Sequence, residues 1–126
     1  MKVLIAALIM LFIIGIFIGV HTYVMSNLSS EINKLCESAE ILAESEDWKG
    51  VQHEISSIKS IWDKARIWAV LTISTSEIDK IEISLRQSMA FAKVGAKPDF
   101  FGEFTMFHML INRISLKEGF HLEEVL

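Results

Sequence analysis

Apolar residues follow two different patterns along this chain. From Val3 to Val20, eighteen consecutive residues carry no charge and no strongly polar side chain, whereas beyond Ser26 apolar positions recur at spacings of three and four. A run without a polar face suits a helix surrounded by hydrocarbon, because a helix in a water-exposed core keeps one polar side. Crossing the hydrocarbon takes about 20 residues at about 1.5 Å each. His21 and Thr22 interrupt the run, and Tyr23, Val24 and Met25 extend it. We read residues 1–25 as a membrane anchor and 26–126 as an extramembrane domain.

The second pattern begins without a break. Met25, Leu28, Ile32, Leu35, Ala39 and Leu42 form a two-in-seven seam that continues the anchor with no Gly or Pro between. One helix from about residue 3 to 44 is the consequence. Ser45 to Trp48 then reads as a new start, with a Ser or Asp cap, and Trp48, Val51, Ile55, Ile58, Trp62 and Ala65 make a second seam. The stretch Ile67–Thr75 is rich in β-branched residues, but a lone strand has nothing to pair with, so it too reads as helix. Ser74-Thr75-Ser76-Glu77 matches a capping box and opens a third helix with Ile78, Ile81, Leu85, Met89 and Ala92 inside. Gly95 and then Pro98 mark its end. Asp99 is the expected cap of a fourth helix carrying Phe100, Phe104, Phe107, Leu110, Ile111 and Ile114, with Gly119 interrupting it and His121–Leu126 a tail or last turn. The fold expected is all-α: a transmembrane helix continuing into an antiparallel up-down bundle of about four helices. Trp48, Trp62, Phe104 and Phe107 are its candidate core.

Charge narrows the partners. The 26–126 segment has 11 basic against 16 acidic residues, a net charge of −5. Nucleic acid and anionic lipid headgroups need clustered Lys and Arg, which are missing, so no nucleic-acid partner is expected. Lys2 and the amino terminus precede the span, and Lys34 against Glu31, Glu37 and Glu40 follows it. That bias places the N-terminus in the cytoplasm and the domain outside the cell membrane. The apolar core exceeds that of a cleaved signal, and no Ala-x-Ala site follows it, so the anchor reads as uncleaved. Cys36 is the only cysteine, which excludes an internal disulfide.

Several landmarks form a familiar set. The N-terminal anchor, Asp47-Trp48, Trp62, Trp68, Ser76-Glu77-Ile78-Asp79 and Ile83-Ser84-Leu85 together resemble the family called domain of unknown function 4363. The likeness runs over nearly the whole chain and rests on Trp and Glu spacings. It implies a short, helical, single-anchor protein of spore-forming bacteria and their relatives. Where that family often has a histidine before Ser-Glu-Ile, this chain has Thr75. The family carries no assigned function, so the resemblance supplies no active site.

The residues themselves offer little chemistry. His21, His53, His108 and His121 are scattered without a second His at ligand spacing, so no metal and no cofactor are expected. No Ser-His-Asp, Cys-His, phosphate-loop or dinucleotide pattern occurs, and the chain does not read as an enzyme. Four candidate interaction residues remain. Gly15 and Gly19 make a Gly-x-x-x-Gly in the span, which permits close helix approach. Trp68 falls off the second seam, where it covers a helix end, meets a partner or rests at the membrane interface. Glu77 serves the capping box or contacts a partner. The expectation is a non-catalytic accessory protein in the lipid bilayer that docks on another membrane protein or on itself. The alternative is an extracytoplasmic bundle that senses a small ligand and signals through a partner.

Overall fold

The computed structural model describes residues 1–125, with side chains as far as Ile114. Four helices follow one another: α1 (Lys2–Glu44), α2 (Trp48–Ala69), α3 (Thr75–Val94) and α4 (Lys97–Val125). No strand occurs among the described residues. Each helix packs on its neighbours in the order α1, α2, α3, α4 and back to α1, while among the described residues the diagonal pairs do not touch through their backbones. Short turns force neighbours to run antiparallel, which makes the assembly an up-down four-helix bundle with α1 projecting from one end.

Local chemistry sets the boundaries. Asp47 caps α2 by accepting from the Gly50 N–H at 3.2 Å, and Ser74 Oγ accepts from the Glu77 N–H at 3.3 Å. Each satisfies one of the donors that a helix start leaves without an internal partner. Gly95 ends α3 in the left-handed region at φ 69°, and Trp48 Nε1 would lie 3.3 Å from any Cβ placed there. A side chain at that position meets both backbone strain and the indole.

Three expectations need adjusting. Helix α4 begins at Lys97, so Asp99 sits in its first turn instead of capping it. Pro98 explains the early start, since its missing N–H is harmless in a first helical turn. Gly119 does not interrupt α4, which runs on to Val125; Leu126 lies outside the described residues. Finally, α2 stops at Ala69, and residues 70–73 form a turn where continued helix was expected. The α2–α3 reversal has to be made somewhere between Trp68 and the Ser74 cap.

The core is continuous along the bundle. Trp62 is 2% exposed, Phe104 and Phe107 are wholly buried, and Trp48 is half-buried against the same cluster. Along α4 the Phe100, Phe104 and Phe107 rings stack with centroids 5.0 and 5.9 Å apart. Each such side chain contributes about 1.5–3 kcal/mol by leaving water. Helix α1 answers with a narrower line: His21, Met25, Ser29, Ile32, Cys36, Ala39 and Ala43 are buried, and Leu28, Leu35 and Leu42 flank them half-buried. The buried line is therefore turned slightly from the seam read in the sequence. Small residues along it admit the bulky aromatic helix opposite.

The N-terminal half of α1 has no such cover. Its apolar segment reaches a mean hydropathy of 3.2 over 18 residues, and none of that window is buried. By length and composition this single helix suits a membrane crossing. His21 and Met25, on the anchor side of residue 25, already belong to the packed bundle.

Candidate functional site

The antiparallel register brings the end of α2 against the point where α1 leaves its apolar run. His21 Nε2 donates to the Trp68 carbonyl at 2.9 Å, which identifies Nε2 as a protonated nitrogen of that ring. The carbonyl belongs to the last turn of α2, where it also accepts from the Leu71 N–H at 3.3 Å. The Trp68 ring meets His21 edge-on at 5.8 Å and Phe17 at 6.4 Å. His21 is 5% exposed. A histidine that interrupts an apolar run thus joins two helices at the end of the bundle from which α1 projects. Its position four before Met25, on the first seam extended backwards, was the signal in the sequence.

Gly15 and Gly19 lie just N-terminal to this junction. Nothing among the described residues stands within 4 Å of where their Cβ atoms would be, so none of these covers that face. On the same helix a shallow depression of about 500 Å³ is lined by Gly19, Thr22, Tyr23, Ser26, Asn27 and Ser30. Small and hydroxyl-bearing residues thus run from the apolar segment onto the turns of α1 that follow it.

Glu77 stands at the same end, in the first turn of α3. Its N–H is capped by Ser74, and its carboxylate lies where the helix dipole favours negative charge. Gly15, Gly19, Trp68 and Glu77 are thus gathered at one end of the bundle. Trp48 is at the other, edge-on to Phe100 at 5.5 Å.

Between α2 and α3 lies a groove of about 490 Å³. Ile55, Trp62, Leu85 and Met89 contribute apolar wall, and Lys59, Asp63, Arg66, Glu82, Arg86 and Lys93 the rim. Glu82 Oε1 accepts from both Arg66 Nε and Trp62 Nε1, the latter at 3.4 Å, and so ties the two helices at the groove. A second cross-helix pair joins α1 to α4, with His108 Nδ1 2.7 Å from Glu40 Oε1. Groups of three or more His, Cys, Asp or Glu side chains placed to hold a metal are absent among the described residues. Cys36 is wholly buried, and burial with Glu40 and Glu37 nearby pushes its thiol far above the ordinary range. It is therefore a packing residue and a poor nucleophile.

A family model described as Domain of unknown function (DUF4363) matches residues 20–125, which covers the whole bundle and leaves out most of the apolar run. The chain belongs to this family. No curated protein and no solved structure matches it. Membership agrees with the landmarks in the sequence, since Asp47, Trp48, Trp62, Trp68 and Glu77 all fall within the matched span. In this DUF4363 chain they serve as a helix cap, a ring over the α3–α4 turn, a core residue, a junction with α1 and a capped first turn.

Proposed function

We propose that this DUF4363 protein is a membrane-anchored accessory protein without catalysis of its own, docking on another membrane protein through the bare face of its span. The observation that carries this reading is the open space at Gly15 and Gly19, continuous with the depression along α1. In lipid, helices associate chiefly by packing, and small residues permit close backbone approach. The excess of positive charge before the span favours a cytoplasmic N-terminus and an extracytoplasmic bundle. Length and the absence of an Ala-x-Ala site after the apolar run favour an anchor that stays attached.

Crosslinking in native membranes tests the reading. A specific membrane partner should co-purify with the full chain, and Gly19→Leu should abolish its recovery. Because nothing surrounds Gly19, this substitution leaves the bundle folded, which a helical circular dichroism spectrum checks. Equal recovery with Gly19→Leu would refute docking through this face.

The α2–α3 groove favours a second reading, a bundle that takes a small ligand and passes a shift to its partner through α1. Its volume falls in the ordinary range for ligand sites. A purified chain that one metabolite stabilises, and that Leu85→Trp renders indifferent, would favour this reading over the first.

A further inference from the structure

We propose that the end of α2 and the α2–α3 turn, together residues 67–73, form a second membrane contact, seated at the headgroup and acyl boundary of the bilayer that α1 crosses. The proposal rests on reading residues 3–20 as a span. It starts from composition: the ten residues from Ile67 to Ser76, between Arg66 and Glu77, carry no charge. A turn in water is ordinarily built from polar residues, glycine and proline. The turn at the far end between α1 and α2 obeys that rule with Ser45, Glu46 and Asp47. This one instead exposes Ile67, Val70 and Leu71 by 71%, 50% and 58%.

Depth follows from the register. The bond from His21 to the Trp68 carbonyl and the contact of Trp68 with Phe17 set the end of α2 level with residues 17–21. Since α2 runs antiparallel to α1, the chain beyond Trp68 advances towards lower-numbered residues of α1. It therefore moves into the level of the apolar run that ends at Val20. A hydrocarbon core of about 30 Å spans about 20 residues of helix, so a core beginning near Lys2 ends close to Thr22. Phe17 and Val20 are themselves exposed at that level. The apolar surface of the span thus passes without interruption onto the turn, and the lipid around Phe17 is what covers Ile67, Val70 and Leu71. Tryptophan beside them suits the interface, where its ring lies among headgroups. Two attachments instead of one would fix the tilt of the bundle on the membrane.

Nitroxide labels test this on the full chain in phosphatidylcholine and phosphatidylglycerol vesicles. Single labels go on Leu71→Cys, Ile9→Cys and Ser60→Cys in a Cys36→Ala background, with Val70→Cys as a second site in the turn. Collision rates with oxygen, which enriches in lipid, and with a water-soluble nickel chelate report depth. The expected result is an oxygen-to-nickel ratio at Leu71 and Val70 several-fold above that at Ser60, approaching that at Ile9. A turn as aqueous as Ser60 with Ile9 in lipid would overturn the proposal and leave the span intact. Labels at Leu71 shielded from both reagents would overturn it in favour of contact with a second copy. An aqueous Ile9 would remove the span and the proposal with it.

Discussion

At the scale of single residues, identity and environment together decide what a position does. Gly95 is needed for its backbone: Gly95→Ala should cost about 1–2 kcal/mol in urea unfolding followed by helical signal, because an L side chain is strained at a left-handed φ. Trp62 and Glu82 touch one another yet differ in weight. Trp62→Ala opens a cavity in the core and should cost about 3–5 kcal/mol. Glu82→Ala removes a partly exposed ion pair with Arg66 and the acceptor of Trp62 Nε1, and should cost about 1–2 kcal/mol. Cys36 makes a prediction in pH. Its folded thiol is held above the unfolded value, so the folded state binds the proton more tightly. That contribution is complete below the unfolded value near pH 8.5 and fades as pH rises beyond it. Stability should therefore fall between about pH 8.5 and 10 in the native chain, and fall less in Cys36→Ala.

At the scale of elements, α1 belongs to two environments along one uninterrupted axis. Its first half is apolar on every side, and from His21 onward it narrows to one buried line. The bundle therefore depends on α1 as a full member, packed against both α2 and α4. Cutting the chain after Met25 removes the apolar half of α1 but also His21 and Met25 from the core. A fragment of residues 26–126 should remain helical by circular dichroism yet unfold at lower urea than one beginning at Val20. Equal midpoints for the two fragments would show that the junction with Trp68 contributes nothing to stability.

At the scale of the whole molecule, membrane attachment and orientation are the decisive quantities. The full chain should remain with membranes through an alkaline carbonate wash and leave them only in detergent. Its orientation is not readable from Cys36, because that thiol is wholly buried. Ser60, exposed on α2, is the better reporter. Ser60→Cys in a Cys36→Ala background should react with a membrane-impermeant thiol reagent in intact cells. Labelling only after lysis would reverse the orientation inferred from charge.

Much of the architecture was legible because it rests on local, repeating signals. Hydrophobic periodicity marked four helices, and the Asp47, Ser74 and Gly95 chemistry marked where three of their ends lie. Uninterrupted apolar length marked the one helix long and apolar enough to cross a membrane. Pro98 and Asp99 were harder, since proline is compatible both with a break and with a first turn, and the choice went to the earlier start. What the chain alone left open concerns which distant residues meet. Nothing local shows that His21 reaches the Trp68 carbonyl 47 positions away, or that Glu82 bridges two helices over an open groove. Those contacts depend on the register and rotation at which helices settle, which packing of the whole core determines. The same rotation carried the buried line of α1 from its leucines towards Ser29, Cys36 and Ala43. Sequence by itself determined the elements and the apolar run long enough to cross a membrane, whereas only the tertiary structure brought the uncharged turn down to the level of that run.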